Sequence, residues 1–171
     1  VSGNWSAAAT WDCGGQPANG DSVVVRHALT LDTTTRRLAG LTVVAGASIV
    51  DNGSSWAIVL AGPLINNGTI TVSGGASGSF SLAGHSTWAG SGVVNARYID
   101  MGSSYQLTLA NGATLSINLS GNYPLSNVNS DGFNPGGNST ATLHLSGAAQ
   151  SLDPGVRRVP NLRLSGGSKT I

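Results

Sequence analysis

The sequence predicts an all-β protein whose strands coil into a right-handed parallel β-helix, on the strength of three observations. Glu is absent and charged residues make up only 9% of the chain, so the residues that usually cover exposed helix faces are nearly missing. Val, Ile, Leu and Thr occur in short alternating runs separated by Gly, Asn and Ser, a pattern typical of strands and turns. A short strand-like unit also recurs along the chain.

The recurring unit has two apolar residues flanking one other residue, followed by one more residue and a glycine. Its six copies begin at Ile58, Ile70, Phe80, Ile117, Leu143 and Leu162. We interpret each copy as a strand with two inward side chains, ended by a glycine that takes the positive φ of a sharp corner. Asn-Gly dipeptides beginning at Asn52, Asn67 and Asn111 favour tight turns between the copies.

The spacing of the copies varies from 10 residues to more than 30, which favours a solenoid with loops of unequal length over a propeller. In a solenoid each turn pairs only with its neighbours, and inward Val, Ile and Leu side chains stack in one continuous core. An antiparallel β-sandwich uses the same strand and turn residues and is the structural alternative. We expect one domain over residues 1–171, with residues 1–35 forming the N-terminal cap and first turns.

The size and charge of the chain limit the classes of function that we expect. A chain of 171 residues with 40% hydrophobic residues can bury a core. Its net charge of +1 and its scattered arginines form no basic stripe, so we expect no nucleic-acid partner. No apolar run approaches the roughly 20 residues that cross a bilayer, so we expect no membrane span.

Cys13 cannot form an internal disulfide, and we expect a buried or inert thiol, with an intermolecular bridge as the lesser alternative.

Two tryptophans stand close to the start of the chain, at Trp5 and Trp11. The first turn of a solenoid needs a cover, because its open edge would otherwise recruit other chains. We therefore interpret these tryptophans as a cap and not as a platform for a ligand.

Several segments of the chain carry a likeness to known proteins: Gly3–Ser6, Ala9–Trp11, Gly14–Pro17, Gly20–Val25, Leu41–Ala47, Gly62–Ile70, Leu145–Leu152 and Val159–Leu164. The opening ones resemble the N-terminal turns of secreted bacterial cell-surface β-helix proteins of the adhesin type, and also the glycine-rich β-helical domain of some eukaryotic ectodomains. The later ones resemble subsequent turns and repeats of such surface proteins. The resemblance implies a β-helix at the cell surface. It implies little about chemistry, because adhesins, stalks, secretion passengers and some polysaccharide enzymes share this architecture.

Catalytic groups are sparse and dispersed. Glycoside hydrolysis needs two carboxylates about 5 to 10 Å apart, whereas the seven Asp residues have no adjacent pair. Neighbouring turns could still bring two together, but Asp beside Gly or Asn is typical of turns. His27, His85 and His144 lie far apart without metal-ligand spacing or a nucleophile elbow. We expect no catalytic site and no cofactor.

One loop has a partial metal pattern. Asn127, Asn129 and Asp131 stand at alternate positions before Gly132, as oxygen ligands do in a calcium loop. The position of the bidentate Glu is occupied by Asn138, which leaves a single carboxylate. A plain Asn- and Gly-rich loop between turns is the simpler interpretation, and calcium is the alternative.

Aromatic residues offer a second weak candidate site. Trp56, Trp88, Tyr98 and Tyr105 could stack on sugars if several of them face the same way. Aligned exposed rings would favour a carbohydrate-binding module, and buried rings would favour a structural rod.

Together these features predict a non-enzymatic extracellular structural or adhesive surface protein. The rival hypothesis is a polysaccharide-binding or polysaccharide-cleaving module, and the third is the cap domain of a larger enzyme. The last residues, Gly167–Ile171, resemble a corner and the start of another strand, without a polar closing turn. We therefore expect a longer parent protein or head-to-tail self-association, which generates a filament if it does not close. Other cell-surface components and polysaccharides are the remaining partners.

Overall fold

The computed structural model describes residues 1–72, 79–102, 104–110, 112–117, 121–122, 125–126, 133–134, 140–151 and 161–170. Every strand pairing in this part of the chain is parallel, and the strands stack as a β-solenoid of about 5 turns. The predicted parallel β-helix is confirmed, and the antiparallel sandwich is wrong. Within the same residues, no helix is long and apolar enough to cross a membrane.

The strands, numbered in chain order, form five parallel sheets: three stacked faces, A, B and C, and two three-stranded sheets. Face A contains β1 (Gly3–Asn4), β3 (Ala28–Leu31), β5 (Ser48–Asp51), β8 (Thr69–Val72) and β11 (Val93–Ala96). Beside β11 lies a three-stranded sheet of β14 (Thr114–Ile117), β18 (Thr142–Leu145) and β20 (Asn161–Leu164). Face B contains β2 (Ser22–Val25), β4 (Gly40–Val43), β7 (Leu64–Asn66), β10 (Ser86–Ala89), β13 (Leu107–Leu109) and β17 (Phe133–Asn134). Face C contains β6 (Ala57–Leu60), β9 (Ser79–Leu82), β12 (Tyr98–Asp100) and β16 (Leu125–Ser126), and the other three-stranded sheet contains β15 (Gly121–Asn122), β19 (Gln150–Ser151) and β21 (Lys169–Thr170).

Successive turns have unequal lengths but keep their strands in register. The chain passes from face B to face A to face C and then returns to face B. Val23 pairs with Leu41, 18 residues later, whereas Leu115 pairs with Leu143, 28 residues later. The irregular spacing of the repeated unit has two sources. Turns differ in length, and the copies lie on different faces, with Ile58 and Phe80 paired on face C and Ile70 between them on face A.

The core is a set of apolar ladders inside the coil. On face A, Leu29, Ile49, Ile70 and Val94 occupy equivalent inward positions in four successive turns, and each is at most 5% exposed. Outward residues alternate with them along each strand, as the pleat of a strand requires. Burying one such side chain adds about 1.5–3 kcal/mol to the free energy of unfolding, and each turn of the stack adds a similar contribution. The predicted continuous core is confirmed.

Gly62 and Gly84, which end two copies of the repeated unit, have a different role from the predicted one, whereas Gly166 at the end of the last copy has the predicted positive φ, 77°. Gly62 and Gly84 lack a positive φ. A Cβ atom at Gly62 would instead collide with the carbonyl oxygen of Ala39, and one at Gly84 with that of Ala61. Both corners thus require glycine because the backbones of successive turns touch.

The copy that begins at Ile117 also differs from the prediction. Ile117 is the last residue of β14, so no strand starts there. The next three residues, 118–120, lie outside the described part of the chain.

Several strands end in a local turn made by a side chain. A side-chain oxygen accepts a hydrogen bond from the backbone N–H two residues further on at Asp51 (2.9 Å), Asn66 (3.1 Å) and Asp100 (3.1 Å). Asp and Asn favour such turns because their short side chains reach their own backbone. The interpretation of Asp residues as turn formers is confirmed at Asp51 and Asp100.

Candidate functional site

The N-terminal segment covers the first turn of the coil. Strand β1 pairs with β3, with Gly3 opposite Leu29, and extends face A by one strand. The next residue, Trp5, donates its backbone N–H to the Thr30 carbonyl at 2.8 Å, and its side chain is completely buried in the core. Trp5 therefore has the capping position that the sequence predicted.

Trp11 has a mixed position. A short 3-10 turn, Ala8–Thr10, leads into it, and its indole packs edge-on against Trp5 with ring centroids 4.9 Å apart. Its Nε1–H donates to the Trp5 carbonyl oxygen at 2.9 Å. The ring is only half-buried, so part of a rigidly held indole remains accessible.

A carboxylate attaches the N-terminal segment to the second strand of face A. Ser6 donates its backbone N–H (2.9 Å) and its hydroxyl (2.5 Å) to the two carboxylate oxygens of Asp32. Slight burial acts to raise the pKa of Asp32, but the hydrogen bonds from Ser6 and from its own backbone together hold that pKa below its ordinary value. The ionised form of Asp32 is therefore the one that fits the cap.

A cavity of about 120 Å³ opens beside Trp11. Thr10, Trp11 and Asp12 line it from the N-terminal segment, while Arg26 and His27 line it from the corner that joins β2 to β3. The side chains of Asp12, Arg26 and His27 are exposed and form no hydrogen bond or ion pair with the described residues. The Trp11 indole, which the fold holds in place, thus lines the same cavity as a carboxylate, a guanidinium and an imidazole that form no hydrogen bond or ion pair with the described residues.

This charged corner differs from the corners that occupy the same place in later turns. Those corners join face B to face A at residues 44–47, 67–68, 90–92, 110 and 112–113. They contain only Val, Ala, Gly, Asn and Ser. Arg26 and His27 are therefore peculiar to the first turn and are not needed to make this kind of corner.

The sugar-stacking candidates whose side chains the structure describes, Trp56, Trp88 and Tyr105, do not form a common surface. Trp88 lies in the core, 3% exposed, with its ring centroid 4.8 Å from that of Phe80, so its prediction as a stacking residue is wrong. Its Nε1–H donates to the Ser86 hydroxyl at 2.8 Å. The period-two pattern of β10 could have indicated this position, because Trp88 and Ser86 point to the same side.

The other aromatic candidates occupy separate places. Trp56 is half-buried in the loop before β6 and donates its Nε1–H to Asn52 at 2.8 Å. Tyr105 is half-buried before β13, at the opposite end of the face C strands, with its ring perpendicular to that of His85. Tyr98 begins β12, and its side chain lies outside the described part of the structure.

The histidines also remain separate. His144 points outward from β18, as expected, with Nε2 2.9 Å from the Ser165 hydroxyl and Nδ1 3.4 Å from the Ser116 hydroxyl. Among the described residues, no three His, Cys, Asp or Glu side chains lie where they could share a metal ion. The calcium candidates Asn127, Asn129 and Asp131 lie outside the described residues.

Cys13 departs from the expectation of a buried thiol. Its side chain is exposed, with Sγ 3.3 Å from the carbonyl oxygen of Gly15. The loop after Trp11 runs over the surface, which is why burial fails at this position.

The chain matches no protein-family model, no curated protein and no solved structure. The solenoid part of the predicted resemblance is confirmed by the fold. The likeness to adhesin-type surface proteins stays a prediction.

Proposed function

We propose that this chain is a non-enzymatic structural or adhesive element of an extracellular surface. The observation that carries the proposal is the composition of residues 38–96, in which Asp51 is the only charged residue. Asp51 is 8% exposed and is engaged in the turn that ends β5. Acid–base catalysis requires ionisable groups that converge on one point, and this part of the coil supplies none beyond Asp51 and His85.

The outward surface of the coil supports the same role. On face A, the outward positions in register are Thr30, Val50, Thr71 and Asn95. Such short uncharged side chains expose hydroxyl, amide and methyl groups on a flat sheet. A repeating surface of this kind suits contact with polysaccharide or with other surface components. It is also consistent with the location that the sequence resemblance implies.

The edge of β20 supports a further strand as a neighbour. Within the described residues β20 pairs with β18 alone, and Leu164 is 43% exposed. A parallel strand from a continuing chain or from a second copy would cover Leu164.

Light scattering over a concentration series tests the second case: apparent mass should rise with concentration for the wild type and stay constant for Leu164→Lys. A wild type of constant mass would rule out association between copies.

Incubation with a panel of neutral and acidic polysaccharides tests the non-enzymatic assignment. We expect no new reducing ends and no unsaturated products, because the described catalytic groups are dispersed along the coil. Reproducible cleavage that disappears in Asp51→Asn or Asp12→Asn would overturn the proposal. It would favour the polysaccharide-cleaving alternative.

A further inference from the structure

We propose that the cavity beside Trp11 is a binding site for an acidic sugar, a hexuronate unit at the surface of a polysaccharide. The choice of a polysaccharide as the source of this sugar rests on the proposed surface role. The choice of an acidic sugar rests on the groups that line the cavity.

The indole supplies the surface for the sugar ring. Trp11 is half-buried, and its orientation is fixed by the hydrogen bond to the Trp5 carbonyl and by the edge-on contact with the Trp5 ring. A ring already held in place loses little freedom when a ligand packs on it, so less binding energy is lost to ordering. Its apolar face suits the C–H face of a pyranose.

The charged groups supply the selectivity. The Arg26 guanidinium matches a carboxylate with two parallel hydrogen bonds, and His27 adds a second donor next to it. Asp12 is an acceptor for sugar hydroxyls on the same rim. A neutral sugar offers Arg26 and His27 only hydroxyl oxygens as acceptors, whereas a carboxylate forms stronger, charge-assisted hydrogen bonds, which is why we assign an acidic sugar.

The size of the cavity limits the ligand. A volume of about 120 Å³ equals on the order of four water molecules, so the cavity takes in the carboxylate and one edge of a single sugar unit, while the rest of that unit and its neighbours stay in solvent. We expect a dissociation constant on the order of 1 mM for one unit, since the charged groups are exposed. Several sites along one polysaccharide would raise the apparent affinity without new contacts.

The test is an NMR titration that follows the Trp11 indole N–H. The probes are an oligogalacturonate, the neutral galactan oligosaccharide of equal length, and inorganic phosphate at equal ionic strength. The wild type should bind the acidic oligosaccharide about tenfold more tightly than the neutral one. Phosphate should bind more weakly than the acidic oligosaccharide.

Matched variants separate a specific contact from net charge. Arg26→Gln should weaken binding of the oligogalacturonate about tenfold, whereas Arg36→Gln, which removes an equally exposed arginine remote from the cavity, should leave it unchanged. Both side chains are exposed, so thermal unfolding should be the same in both variants.

Three results would overturn the site: equal binding of acidic and neutral sugars, equal losses in the two variants, or full displacement by phosphate. The same mixtures are assayed for cleavage products. Cleavage would overturn the non-enzymatic assignment and leave the site in place, whereas absence of binding would overturn the site alone.

Discussion

The first 37 residues and the coil of residues 38–96 have the same strand architecture but differ in their chemistry. The first region carries six charged residues: Asp12, Asp21, Arg26, Asp32, Arg36 and Arg37. The second region carries one, Asp51. A turn in the middle of a solenoid contacts a turn on each side, and its corners are shaped by close backbone contact. In the first turn, β2 pairs with β4 alone within the described residues, so the corner after β2 has room for larger side chains.

The largest effect that we expect is a loss of stability when a glycine at a corner of the coil is replaced by alanine. The same replacement in the first region is the comparison. In Gly84→Ala the new Cβ would collide with the Ala61 carbonyl one turn earlier, and relieving that contact should cost about 1–3 kcal/mol of unfolding free energy. In Gly15→Ala the new Cβ meets nothing within 4 Å, and the cost should stay below about 0.5 kcal/mol. Chemical denaturation of the two variants measures the difference. Equal stabilities would show that the turns can separate at that corner.

A smaller effect on stability is expected at Asp32, which attaches the N-terminal segment, and this effect depends on pH. Because the pKa of folded Asp32 is lowered from its ordinary 3.8, the carboxylate stabilises the fold above that value. The stabilisation is lost as the pH falls through the lower folded pKa. Its size should be less than about 1 kcal/mol, since the carboxylate is only partly buried.

Asp32→Asn is the variant that reveals this contribution. It should be less stable than the wild type at neutral pH, and the two should converge once the pH lies well below 3.8. Asp12→Asn is the control, because that carboxylate forms no hydrogen bond with the described residues, and it should match the wild type at neutral pH. Thermal unfolding followed by tryptophan fluorescence detects the change. A difference between wild type and Asp32→Asn that grows on acidification would contradict the lowered pKa.

The strands and the cap could be predicted from sequence because they depend on local patterns. Alternation along Ile58–Leu60 places two side chains inward whatever the neighbouring turn contains, and Trp5 beside a first strand is a large apolar residue in need of cover. The reason why the corner at Gly62 requires glycine could not be predicted from the sequence. It depends on which backbone lies one turn away, and that is fixed by the register of face C.

The cavity beside Trp11 was missed for the same kind of reason. Its two halves, residues 10–12 and 24–29, are brought together by the pairing of β1 with β3. One signal was present in the sequence: the Arg26–His27 pair directly follows a valine run, where the later corners have only small uncharged residues and Val44. Asp12 and Arg26 are distant from each other in the sequence, so their spacing does not indicate that they line one cavity.

The unequal turn lengths have a consequence for how this molecule can change. Paired residues lie 18 positions apart in one turn and 28 in another, yet the ladders on each side remain in register. Doubling the length of a flexible loop costs only about 0.6 kcal/mol, so a corner can accept an insertion at little cost while the strands stay where they are. A corner without close backbone contact, unlike those at Gly62 and Gly84, is therefore a separate place for grafting, where an epitope or a recognition peptide can be added to one turn without redesigning the next.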